Sequence, residues 1–173
     1  MVSPKRTALF VVLAALLLLP GLAAASKELR GGTLAFSLDP DDPFFIDGET
    51  VRIVVSLNAT TSISGDLGIG IALPPALSQG ACPATGDAQL VFLDFGTGDG
   101  SQCLATWFAN PAGRITQFDG VSLPAGFQTS AELLRFTVNP GLPRGVFVFF
   151  GYILDSANPA VIRDAATTTL DLE

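Results

Sequence analysis

Glu49–Asn58 reads ETVRIVVSLN. Val51, Ile53, Val55 and Leu57 fall on one side of an extended chain, and Arg52, Ser56 and Asn58 on the other. Successive side chains of a β-strand point to opposite faces, so this period of two is the pattern of a strand with one face in a core and one in water. Asp47-Gly48 supplies the turn that enters it.

The same punctuation of short β-rich runs by Gly, Pro, Asn and Asp continues in both directions. Upstream, Thr33–Leu38 is a strand that ends at Pro40-Asp41-Asp42-Pro43. Downstream, Thr60–Asp66 is a polar loop before Leu67–Leu73 (LGIGIAL), which ends at Pro74-Pro75. Leu67, Ile69, Ile71 and Leu73 share one face of that run. The opposite face is glycine and alanine, where a ligand or another backbone can come close. Gln89–Phe95 and Gln102–Phe108 form a predicted hairpin across Gly96–Gly100, and Arg114–Phe118 a short strand before a loop over Asp119–Phe127. Ala131–Val138 is expected to turn Leu134, Phe136 and Val138 inward. Gly145–Leu154 (GVFVFFGYIL) is apolar on both faces, Asn158-Pro159 breaks the chain, and Ala165–Leu172 closes it. About nine strands joined by connections of mostly 4–10 residues predict an all-β fold, an antiparallel two-sheet β-sandwich of jelly-roll or Ig-like type.

Residues 1–25 carry the three parts of an export signal: Lys5 and Arg6, then the twelve uncharged apolar residues Ala8–Leu19, then Pro20-Gly21 and Ala23-Ala24-Ala25. Cleavage is expected before Ser26, because a spanning helix needs about 20 apolar residues and this run is broken too early. Removing 25 of 173 residues leaves 148, the size of one domain over 26–173. That domain is expected to be secreted or periplasmic and not membrane-spanning.

The signal takes two of nine basic residues with it, leaving seven against sixteen acidic ones, a net charge of −9. Such a chain repels phosphate backbones, so nucleic-acid binding is not expected. Histidine is absent, which excludes Ser-His-Asp and Cys-His catalysis and His-ligated metals. The four Glu residues after the signal, Glu28, Glu49, Glu132 and Glu173, match no glycosidase motif. The protein is expected not to be an enzyme and to need no cofactor. Cys82 and Cys103, the two cysteines, are expected to form one disulfide in an oxidising compartment.

Three features resemble cohesin-like domains of the cohesin and carbohydrate-binding-module superfamily. Gly48-Glu49-Thr50-Val51 opens a strand as the family's G-[DE]-x-V does. Leu67–Leu73 runs into Pro74-Pro75-Ala76-Leu77, where cohesins carry D-P-x-x-L. Glu132–Val138 (ELLRFTV), followed by Val146–Leu154, is similar to the family's L-x-x-[IL]-x-F-x-V strand and its successor. The sequence departs from the pattern at Leu73, where the family has Asp, and in its cysteine pair. The resemblance implies a nine-stranded jelly roll that binds a protein partner on one sheet face. A polysaccharide-binding module of similar fold and a structural envelope or matrix subunit are the other readings.

The candidate site residues follow from these readings. Phe147, Phe149, Trp107 and Tyr152 are candidates for a binding face, because planar aromatics anchor protein partners and stack on sugars. Asp39, Asp41, Asp42 and Asp47 are candidate ligands of a structural calcium ion, which takes six to eight oxygens. Asp94 and Asp99 in DFGTGDG are a second candidate cation loop, otherwise an ordinary turn. Asn58-Ala59-Thr60 matches a glycosylation sequon.

Overall fold

The computed structural model describes residues 32–42, 44–82, 86–93 and 100–173. The export segment and the Asp94/Asp99 loop lie outside these residues.

Ten strands and two short helices follow one another in the described residues: β1 (Leu34–Asp39), β2 (Phe44–Phe45), β3 (Thr50–Ala59), β4 (Ile63–Ala72), α1 (Pro75–Ser78), β5 (Gln89–Phe92), β6 (Gly100–Cys103), α2 (Leu104–Ala109), β7 (Phe118–Leu123), β8 (Phe127–Thr137), β9 (Gly145–Asp155) and β10 (Asn158–Leu172). The fold is all-β. A three-stranded antiparallel sheet has the order β1-β3-β8. A larger sheet has the order β2-β10-β9-β4-β5-β6, with β7 paired to the start of β4. Its pairs are antiparallel except β2 with β10.

The alternation of β3 sets the interface between the sheets. Val51 and Ile53 are fully buried and meet Leu38, Phe149, Leu170 and Leu172 in a common core. Leu67, Ile69 and Ile153 extend that core toward Val55 and Leu133. The two-sided apolar strand β9 is explained by a second core on the other face of the larger sheet. There Leu90, Phe92, Phe150, Tyr152 and Leu154 pack beneath Leu104 and Trp107 of α2. Both faces of β9 are therefore covered, Phe147 and Phe149 toward the small sheet and Phe150 and Tyr152 toward α2.

The glycine face of β4 admits aromatic rings. A Cβ at Gly68 would stand 2.5 Å from Cζ of Tyr152, and one at Gly70 2.6 Å from Cζ of Phe150. The close approach expected there is made by these two neighbours on β9.

Five expectations need correction. β4 begins at Ile63, inside the run read as a polar loop, where Ile63–Gly65 pair with β7. The second arm of the hairpin is a strand only over Gly100–Cys103, after which Leu104–Ala109 is helical. Leu104 and Trp107, three residues apart, share the buried face of that helix. Asp87 Oδ1 accepts the Ala105 N–H at 3.1 Å, satisfying a donor that the first turn would leave unpaired. The strand expected at Arg114–Phe118 instead begins at Phe118 and runs to Leu123, through what reads as loop. Leu134 is exposed, because a bulge shifts the register between Ile53 and Val54 and turns Leu133 inward in its place. Asn158-Pro159 lies inside β10 and does not end it, although the register against β9 shifts between Asn158 and Ile162 and again between Ile162 and Asp164. The chain turns at Ser156-Ala157, where Asp155 Oδ1 accepts the N–H groups of Ala157 and Asn158.

Candidate functional site

One broad sheet face is uncovered among the described residues, the outer face of β1-β3-β8. It is built from the polar half of the β3 alternation together with its partners across the ladder. Asp39 lies opposite Arg52, and Arg52 opposite Arg135. Arg52 stands 3.3 Å from Asp39 and 3.6 Å from Glu132, while Arg135 grips Glu132 through two hydrogen bonds of 3.0 and 2.7 Å. Hydrogen bonding from Arg135 holds the Glu132 carboxyl below the usual carboxylate range. Four alternating charges thus cross the three strands.

Beyond them the face is neutral and polar. Ser56 pairs with Ser130 and Asn58 with Gln128, whose amide donates to Asn58 Oδ1 at 3.3 Å. A shallow groove runs here, lined by Ser56, Leu57, Asn58, Gln128, Thr129 and Ser130. Asn58 of the sequon is exposed on this groove. The arrangement offers fixed donors and acceptors on a rigid sheet and holds no nucleophile–base pair.

The aromatic residues expected to form a binding face do not form one. Phe149 is 2% exposed, Trp107 4% and Tyr152 3%, while Phe147 is half-buried against the inter-sheet core. They also divide between the two faces of the larger sheet, Phe147 and Phe149 on one and Trp107 and Tyr152 on the other. Burial of apolar rings is favourable on both faces, and the covering α2 is what the sequence reading lacked.

Trp107 and Tyr152 instead belong to an assembly with the half-buried Arg114. The Trp107 Nε1–H donates to Tyr152 Oη at 3.4 Å, and the Tyr152 hydroxyl donates to the Ile115 carbonyl. Burial pushes the Tyr152 pKa up to about 12, with the Trp107 hydrogen bond and the Arg114 charge acting against it. Arg114 stacks 4.0 Å from the Trp107 ring centroid and donates to the carbonyls of Trp107 and Pro159. Burial lowers its pKa. Arg52, Arg135, Arg144 and Arg163 each pair with a carboxylate, whereas none pairs with Arg114 among the described residues.

Three of the four aspartates proposed for calcium are engaged with other partners. Asp39 pairs with Arg52, Asp47 with Arg144, and Asp42 Oδ1 accepts the Phe44 N–H at 2.9 Å, while Asp41 is exposed. Among the described residues, the grouping of three potential ligands is Cys82, Asp87 and Cys103. Its two sulfurs are joined in the expected disulfide, with Cα atoms 5.5 Å apart, and a disulfide offers no thiolate to a metal. That bond ties Cys103, which precedes α2, to the segment after α1.

Two buried polar residues escaped the sequence reading. The Gln117 side chain donates to the carbonyls of Ile69 and Leu93 at 2.6 and 3.0 Å and accepts the Ile69 N–H at 2.8 Å. Nothing in RITQF distinguishes it from a surface glutamine. Asp164, on β10, accepts the Leu34 N–H at 2.7 Å and so ties the larger sheet to the start of β1. A carboxylate within a pairing strand was its one sequence signal.

No family model matches the chain, and no curated protein matches it. Solved structures that resemble it include a β-glucosidase from Listeria innocua, at 10% identity over 82% of this chain and 16% of that one, with a TM-score of 0.32. An alkylpurine DNA glycosylase from Pseudomonas fluorescens bound to DNA is 12% identical over 92% of this chain and 36% of its own, with a TM-score of 0.35. A Niemann-Pick type C2 protein from the Japanese carpenter ant is 9% identical over 83% of this chain and 96% of its own, also at 0.35. The chain thus spans less than two-fifths of the first two, and likeness at this level assigns no function to it. Among the described residues, no helix is long and apolar enough to cross a membrane.

Proposed function

We propose that the protein is an exported, non-catalytic binding module that engages a protein partner through the outer face of β1-β3-β8. The observation that carries this reading is the uncovered face itself. Its side chains, from Asp39 and Arg52 through Glu132 to Ser130 and Gln128, are exposed or half-exposed on a sheet whose other side packs against the larger sheet. Alternating charges and rigid amides favour register and specificity in a protein contact, because misplaced partners meet like charges or unpaired polar groups. A polysaccharide platform calls for an exposed ring, and the outward positions of these three strands carry none. The cohesin-like, jelly-roll reading of the sandwich and export by residues 1–25 belong to the same proposal. The disulfide fits an oxidising compartment.

The test is capture by immobilised Ser26–Glu173, disulfide intact, from secreted and envelope fractions of the source organism. The double variant Ser56→Arg/Ser130→Arg serves as control, since two bulky cations on the groove leave the core untouched. Capture of one stoichiometric protein that the variant loses at least tenfold supports the face. Equal capture by both, or self-association alone, removes it.

A further inference from the structure

The smaller sheet ends in a long open edge. β8 runs for eleven residues and pairs with β3 on one side. No strand of the described residues pairs with its other side, so alternate N–H and C=O groups there are left to solvent. Natural edges are commonly kept short or interrupted by Pro and Lys. The end strands of the larger sheet, β2 and β6, follow that rule at two and four residues. β8 carries neither Pro nor Lys. Its bulge is the one feature that blunts it, and there Leu134 is exposed on the edge.

The charges of β8 make the strand complementary to itself. Ile53 and Val54 of β3 are consecutive, yet they face Leu134 and Glu132, so Leu133 and Leu134 together fill one ladder position. Counted from that position, Glu132 is one step back and Arg135 one step forward. Both lie on the outer face with Arg52. A twofold axis through the bulge sets a second β8 antiparallel to the first. Glu132 of each copy then stands opposite Arg135 of the other on that face, and Leu134 lies at the centre. Ser130 falls opposite Thr137, and Ala131 opposite Phe136. The two neighbouring symmetric registers set Arg135 against Arg135 or Glu132 against Glu132, and like charges directly opposite are unfavourable. We propose that the free edge of β8 pairs antiparallel with β8 of a second copy of this chain, centred on Leu133-Leu134. The pairing joins two smaller sheets into one of six strands, β1-β3-β8-β8-β3-β1, and sets the two outer faces side by side. It does not rest on the partner reading above. Two strands edge to edge cover less area than a standard interface, so the dimer is weak, with a Kd of about 100 µM.

Sedimentation equilibrium of Ser26–Glu173, disulfide intact, tests it from about 5 to about 500 µM, a range that brackets that Kd. Salt at about 0.15 M screens the net charge. The apparent mass should rise with concentration and level off at twice that of the monomer. Glu132→Arg and Arg135→Glu each place like charges opposite one another in the homodimer, and each should weaken it at least fivefold. Both positions are exposed, and far-UV circular dichroism checks that the fold is kept. An equimolar mixture of the two variants restores opposite charges at both positions, so a heterodimer should form within twofold of the wild-type affinity. Amide exchange of the wild type should slow over residues 130–137 as its own concentration rises, with residues 34–39 unchanged. A monomer throughout the range, association beyond two copies, a mixture no stronger than the single variants, or unchanged exchange over 130–137 would overturn the proposal. Capture of a different protein by the outer face would stand in any of these cases, so the two readings fail separately.

Discussion

Gln117 does with a side chain what a strand does with its backbone: one amide supplies two donors and an acceptor to Ile69 and Leu93. Replacing it by Ala leaves the buried Ile69 N–H without its partner, which costs about 2 kcal/mol. A urea denaturation of Gln117→Ala should show that loss with an unchanged slope. Asp164 is a different case. Burial raises its pKa, and the N–H groups of Leu34, Thr33 and Ala165 offset this only in part. A carboxyl whose folded pKa exceeds its unfolded value binds its proton more tightly in the native state. Its contribution is fully present below the unfolded value near 3.8 and is lost as pH rises through the folded pKa. Two outcomes follow. A carboxyl-carbon NMR titration should place Asp164 above the ordinary Asp range, and the stability of wild type relative to Asp164→Asn should fall as pH rises through that midpoint.

At the scale of elements, β4 and α2 are the informative pair. Gly68 and Gly70 let β9 stand its rings over β4. Gly68→Ala and Gly70→Ala should each destabilise by about 2 kcal/mol through overpacking. Gly70→Ala should be the worse, because its Cβ also meets the Val91 carbonyl oxygen at 2.6 Å. The disulfide anchors α2 and closes a loop of about 22 residues, worth about 3 kcal/mol in the chain-entropy model. Cys82→Ala/Cys103→Ala should lower Tm by roughly 6–12 °C in a scanning calorimeter. The sequence carries β3 openly, because its alternation from Val51 to Asn58 is broken only by Val54 and admits one reading. It carries α2 poorly. LATWFA is a short apolar run that suits a strand or a helix, and what decides it is Asp87, a residue distant in sequence that receives the Ala105 N–H. The bulge at Leu133 has no local mark in ELLRF at all, so Leu134 reads as buried until the pairing with β3 is known.

For the molecule as a whole, the described residues cover β9, at the centre of the larger sheet, on both sides and the smaller sheet on one. The apolar double face of β9 was plain in the sequence, but a strand does not reveal what covers it. Both of its faces turned out to be covered, which moved the candidate site from the aromatics to the polar half of β3. That half was already visible as Arg52, Ser56 and Asn58. Its neighbours Asp39, Glu132 and Gln128 join it only through the pairing of three strands. The central claim is that this composite face meets the partner. Amide hydrogen exchange of the disulfide-intact protein, alone and saturated with the captured partner, tests it most directly. The account predicts slowed exchange confined to residues 35–39, 50–58 and 128–135. Protection centred instead on α2 and β10, with those three segments unchanged, would contradict it.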